Sequence, residues 1–166
     1  MIASEERPVP QISMYVSRNQ QSRAWNAVLD LHGVIFARLN RAMLRDFGIS
    51  LAKYDMLAQV HAHADGLTQG ELSRRLKVTG GNVSGLVRRM TAEDLLARTT
   101  APEDRRAVIV TLTPKGRNTF EAARAHHDAM LGEWLGGIAE PRLADLCQQL
   151  SEIQTHVEAS AEVTCP

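Results

Sequence analysis

Apolar residues recur along most of this chain at intervals of three and four, and that rhythm gives way only once, past the middle, to two short runs with strand character. From Ser22 to about Asp46 the positions Trp25, Val28, Leu29, His32, Ile35, Phe36, Leu39 and Met43 share one stripe of a long helix, which Gly48 ends. Ile12 to Arg18 reads as a separate short helix before it. Ser50 caps the next helix, which carries Leu51, Tyr54, Leu57, Ala58 and His61. Asp65-Gly66 makes a turn, and Leu67 is placed to form a very short strand.

Thr68, Gln69, Gly70 and Glu71 then form a capping-box pattern, in which the Thr hydroxyl and the Glu carboxylate satisfy each other's free backbone N–H groups. Leu72 and Leu76 give this helix its apolar face. Lys77-Val78 leads to a second cap at Thr79, and Val83, Leu86, Val87 and Met90 form the buried stripe of the helix that follows. Leu95 to Thr100 and the β-branched run Ala107 to Leu112 are the strand pair, joined by a charged tip, Ala101-Pro102-Glu103-Asp104-Arg105-Arg106. Thr113 as N-cap and Pro114 at the first helical position start another helix, extending to Gly136-Gly137. Phe120, Ala123, His127, Met130, Leu131, Trp134 and Ile138 lie along one side of it. After Pro141, the positions Leu143, Leu146, Leu150, Ile153 and Val157 alternate spacings of three and four.

Helix, turn, helix and charged hairpin in that order make a winged helix-turn-helix, with one helix shaped for the major groove and a wing for phosphates or the minor groove. The outer face of the second helix carries Gly80, Gly81, Asn82, Ser84, Gly85, Arg88 and Arg89. Small residues at its start permit close approach, and Asn and Ser hydrogen-bond base edges or phosphates. Between Gly70 and Arg89 five basic residues (Arg74, Arg75, Lys77, Arg88, Arg89) stand against the single acid Glu71, while the whole chain balances 19 against 19. A local basic stripe on a neutral chain fits a polyanion footprint, although the stripe alone is also compatible with a solvated basic face.

The run Pro102-Glu103-Asp104-Arg105-Arg106-Ala107, followed by Leu112-Thr113-Pro114-Lys115-Gly116, resembles the signature of the MarR family of bacterial transcriptional regulators. The resemblance spans roughly Ala24 to Ile138. It implies a mainly α fold with a small β-hairpin wing and N- and C-terminal dimerisation helices. It also implies a recognition helix from Thr79 to about Ala92, and a wing in which Arg106 reaches the minor groove while Asp104 holds the wing's shape. Thr68, Thr79, Gly80, Gly81, Asn82, Ser84, Arg88, Arg89, Asp104, Arg105 and Arg106 are the expected DNA-binding residues. One departure is Asp94, where the family usually has Gly; an acid there must take the positive φ of a helix end at some cost. The five stripe positions of the last helix also fit intramolecular core, but apolar stripes at both ends of so small a core need a partner. In the resembled family the terminal helices interlock two subunits, hence the expectation of a homodimer on an inverted-repeat operator. The expected organisation is a disordered tail over 1–11, dimerisation helices over 12–49 and 114–163, and the winged lobe over 50–113.

Composition narrows the rest. At 166 residues and 44% hydrophobic the chain suits one domain with an adequate core. It has no membrane-length apolar run and no signal-peptide pattern, so a cytoplasmic location is expected. No nucleophile elbow, P-loop, dinucleotide fingerprint or zinc-protease motif marks an enzyme, and no cofactor is expected. His61 and His63 point about 200° apart on a helix and His126 and His127 about 100°, so neither pair chelates a metal by itself. The cysteines, Cys147 and Cys165, are too few for a disulfide framework. Cys147 reads as a buried structural thiol in preference to a redox sensor; some members of the resembled family sense peroxides through a cysteine near the start of the first long helix, and this chain has no cysteine before Cys147. The resemblance further implies a small aromatic or anionic effector held between the dimerisation helices and the lobe, where His32, Phe36, Arg38, Tyr54, Asp55 and His61 are the expected lining. A winged helix that binds protein instead of DNA is the rival reading.

Overall fold

The computed structural model describes the backbone of residues 11–100 and 108–162, and side-chain surroundings for 19–100 and 108–160. The expected tail therefore lies outside the described residues, apart from Gln11, which starts a helix. Among the described residues the order of elements is α1 (Gln11–Phe47), α2 (Leu51–His61), β1 (Leu67–Thr68), α3 (Gln69–Leu76), α4 (Gly80–Ala92), β2 (Leu96–Thr100), β3 (Val108–Leu112), α5 (Pro114–Leu135) and α6 (Glu140–Glu162). The chain divides into two compact units, Met1–Ala123 and Arg124–Pro166.

The first unit is built on a small core. Met43 of α1, Met56 and Leu57 of α2, Leu72 of α3, Val83, Val87 and Met90 of α4, Leu96 of β2 and Val110 of β3 are all fully buried. Each such side chain removed from water contributes about 1.5–3 kcal/mol, so this cluster holds the helices on the sheet. The sheet is antiparallel with order β1-β3-β2; Leu67 faces Val110, and β2 pairs with β3 from Leu96↔Leu112 to Thr100↔Val108. Gly66, with φ of 80°, lets the chain enter β1: a Cβ there would stand 2.6 Å from the carbonyl oxygen of Val110.

Local signals account for the element ends. The Ser50 hydroxyl accepts from the Lys53 amide at 3.3 Å, and Asn40 of α1 accepts from the Leu51 amide at 2.9 Å, fixing the start of α2. The capping box at α3 is complete: Glu71 N donates to Thr68 Oγ1, and Thr68 N donates to Glu71 Oε2. Thr113 Oγ1 accepts from Gly116 N at 2.9 Å at the head of α5.

Two expectations need correction. Ile12–Arg18 is not a separate helix, because α1 is continuous from Gln11 to Phe47. The polar run Ser17 to Arg23 interrupts the apolar stripe but contains no Gly or Pro, so nothing breaks the backbone ladder there. Cys147 is exposed, not buried. It lies on α6 in the second unit, where the stripe residues Leu146, Leu150, Ile153 and Val157 are themselves open to solvent. Among the described side chains of α1 likewise, Leu39, Ala42 and Met43 are buried, while Trp25, Val28, Leu29 and Phe36 are exposed. No helix of the described residues is long and apolar enough to cross a membrane, and no group of three or more metal-ligating side chains occurs among them.

Candidate nucleic-acid interface

The surface of interest is the outer side of α4, and the two helix ends around it decide how it is offered. Val83, Val87 and Met90 turn inward to full burial, which obliges Gly80, Gly81, Asn82, Ser84, Arg88 and Arg89 to face outward; all six are exposed. Thr79 is the N-cap, with extended backbone (φ −65°, ψ 150°), but its hydroxyl makes no capping hydrogen bond. The cap was legible in the sequence by position only.

Before α4 the chain turns at Lys77, which takes the left-handed conformation (φ 54°) although it is not glycine. Val78 N bonds back to Ser73 O at 3.2 Å, and Ser73 Oγ donates to Val78 O at 2.5 Å, so the turn between α3 and α4 is closed by hydrogen bonds. Nothing in the sequence singled out Lys77 for this role. Thr68, expected among the DNA-binding residues, has its hydroxyl engaged on both sides, donating to Glu71 Oε2 at 2.7 Å and accepting from Glu71 N. It anchors the head of α3. The same bonds, backbone first and hydroxyl second, hold the Glu71 carboxyl below its ordinary range.

At its far end α4 closes in a Schellman motif: Asp94 N donates to Thr91 O and Leu95 N to Met90 O, with Asp94 at φ 59°. The positive φ expected for the acid in a glycine position is observed. The head of α5 is tied to this corner. Thr113 Oγ1 donates to Asp94 O at 2.6 Å, Lys115 Nζ to Glu93 O at 2.8 Å, and Gly116 lies so close that a Cβ would stand 1.9 Å from Leu95 O. Lys53 of α2 reaches the same corner, with Nζ 2.6 Å and 2.5 Å from the two carboxylate oxygens of Glu93.

Between α4 and the start of α2 opens a hollow of about 410 Å³, whose lining includes Ser50, Lys53, Gly81, Asn82, Leu86 and Arg89. Arg89 thus belongs to the α2 side of the helix, with Arg88 about 100° further round. Arg98 on β2 adds an exposed cation to the base of the wing. Asp104, Arg105 and Arg106 lie outside the described residues.

The six residues expected to line an effector site separate into groups. His32 and Phe36 form a ring pair on α1, centroids 5.7 Å apart. Tyr54 and His61 both meet Phe120, at 5.5 Å and 4.6 Å, and His61 Nε2 lies 3.8 Å from a Glu121 carboxylate oxygen. Arg38 and Asp55 are exposed. Phe120, the ring common to Tyr54 and His61, was legible only as part of the apolar stripe of α5.

A protein-family model described as "MarR family" matches residues 47–107, the segment from the end of α1 to the residue before β3. A solved MarR family transcriptional regulator from Silicibacter pomeroyi is 35% identical, with a TM-score of 0.73, over 85% of this chain and 97% of that one. The chain belongs to the MarR family. HTH-type transcriptional regulator YdgJ of Bacillus subtilis is 26% identical over 115 residues, 68% of this chain and 70% of its own length. MepR of S. aureus, solved as a complex with DNA, shares the MarR fold at 23% identity and a TM-score of 0.73, over 80% of this chain and 96% of that one. MarR-family relatives are transcriptional regulators, not enzymes, so the outer face of α4 belongs to a DNA-binding winged helix.

Proposed function

We propose that the chain acts as a homodimeric repressor that binds an inverted-repeat operator through α4 and the wing, and that a small aromatic or anionic effector modulates this affinity. The observation that carries the DNA reading is the face of α4: small or polar at Gly80, Gly81, Asn82 and Ser84, cationic at Arg88 and Arg89, and exposed opposite the buried Val83, Val87 and Met90. Thr79, Asn82 and Ser84 are assigned to base edges or phosphates, Arg88 to phosphate, and Arg105 and Arg106 to the wing contact, with Asp104 holding its shape. The uncovered stripes of α1 and α6 support a second copy as the dimer partner. Half-sites of such a dimer lie about one helical turn, on the order of 10 bp, apart. A neighbour of the same fold, CouR from Rhodococcus jostii (22% identity, TM-score 0.67), was solved bound to p-coumaroyl-CoA, which supports the aromatic effector. Tyr54, His61 and Phe120 are the aromatic group offered for it, with His32 and Phe36 as the second.

The deciding experiment titrates the protein against DNA flanking its own gene at two salt concentrations. Nanomolar binding to a discrete inverted repeat, weakened by salt as phosphate contacts require, is the expected result. Affinity no better than for random duplex at either salt overturns the operator reading in favour of a winged helix that binds protein.

A further inference from the structure

Glu93 is an acid at the end of a helix whose other end meets a polyanion, which is electrostatically adverse on two counts. It adds negative charge near DNA, and it sits at the helix terminus that favours cations. Its surroundings give a reason for it. Lys53 of α2 holds both carboxylate oxygens at 2.5–2.6 Å, with the lysine side chain only 17% exposed. Lys115 of α5 donates to the Glu93 carbonyl at 2.8 Å. One residue further on, the Asp94 carbonyl accepts from Thr113. The end of α4 is thereby bonded to the start of α2 and to the head of α5 at once.

We propose that Glu93, with Lys53 and Lys115, is a positioning residue for operator binding, setting the angle at which α4 presents Asn82 and Ser84. The inference rests on the reading above that this face of α4 meets DNA. Asn82 lies eleven residues before Glu93, about 16 Å along the helix, so a tilt of roughly 4° about the fixed end moves it by roughly 1 Å. Hydrogen-bond distances span only about 0.5 Å, from 2.7 to 3.2 Å, so that displacement is enough to lose a base contact.

The test turns on sign. Simple charge bookkeeping has Glu93→Gln bind any duplex more tightly, since one negative charge is gone. Positioning has the same variant bind the operator ~2- to 30-fold more weakly. Affinity for random duplex then stays at or above that of the unaltered chain, and the salt slope does not change because no phosphate contact is lost. The exchanged pair Lys53→Glu with Glu93→Lys keeps the net charge and is expected to recover most of the operator affinity that Lys53→Glu alone loses. Fluorescence anisotropy on the full chain reads all of these, and circular dichroism checks folding. Equal or tighter operator binding by Glu93→Gln overturns the proposal. Should Glu93→Gln fail to fold, the ratio of operator to random-duplex affinity decides it: Lys53→Glu alone is expected to lower that ratio and the exchanged pair to restore it. A ratio that Lys53→Glu leaves unchanged overturns the proposal, since net charge acts on both duplexes alike. If the unaltered chain does not distinguish operator from random duplex, the operator reading fails first and this inference with it.

Discussion

At the scale of single residues, the corner between α4 and α5 tolerates least. Gly116 presses its Cα against the Leu95 carbonyl, and a methyl group would have to occupy space 1.9 Å from that oxygen. Backbone on both sides is fixed, by the sheet and by the Thr113 cap, so relief requires the helix head to shift. Gly116→Ala is therefore expected to destabilise the fold by roughly 3 kcal/mol or more, read as a lowered urea midpoint. At the other corner, Glu71 is held ionised by the amide and hydroxyl of Thr68. A carboxyl whose folded pKa lies below its ordinary 4.5 contributes stability in full above that value and loses it as pH falls through the folded pKa. Thermal melts of the unaltered chain and of Glu71→Gln should thus differ at neutral pH and converge once the pH has fallen through the folded pKa, below 4.5. A difference that persists unchanged in acid would mean the carboxylate charge is not what the capping box uses.

At the scale of elements, most of the winged lobe was legible because its ends are marked by local chemistry. Thr68 with Glu71, Thr113 with Pro114, and Ser50 each place a side-chain oxygen where a helix start requires one. The positive φ of Asp94 could be inferred because an acid stood where the resembled family has glycine. Lys77 gave no such sign: lysine carries no preference for the left-handed region, and only the tertiary fit of α3 against α4 imposes it. The continuity of α1 was missed because the apolar stripe, not the backbone, stops at its polar stretch. For the wing, Arg106→Ala is expected to weaken operator binding by about 1–3 kcal/mol while leaving the dimer intact. Unchanged affinity at physiological salt would remove Arg106 from the interface.

At the scale of the whole molecule, apolar surface is the issue. Trp25 is 62% exposed, Ile153 56% and Val157 59%, and these belong to helices whose spacing repeats the same face over several turns. The second copy proposed above would cover such surface on a chain of zero net charge, which has little repulsion to keep it from associating. Ile153→Asp would bury a carboxylate in that contact. It is expected to shift sedimentation from dimer toward monomer and to weaken operator binding with it, since one half-site alone has only half the contacts. A monomeric Ile153→Asp chain with full operator affinity would show that the two copies bind independently.

The unused hydroxyl at Thr79 has a consequence for how far this protein can be stabilised. A helix start without a side-chain cap leaves amide hydrogens pointing outward with only water to meet. An aspartate at that position is a strong cap and a favourable charge for the helix start, worth about 0.5–2 kcal/mol to the isolated fold. It would also set a fixed anion on the face proposed to meet the DNA backbone. Thr79→Asp is thus expected to raise the melting temperature and weaken operator binding together, which calorimetry and a DNA titration on one preparation would read. On the DNA reading proposed above, tight operator binding and a robust apoprotein make opposite demands on this one position.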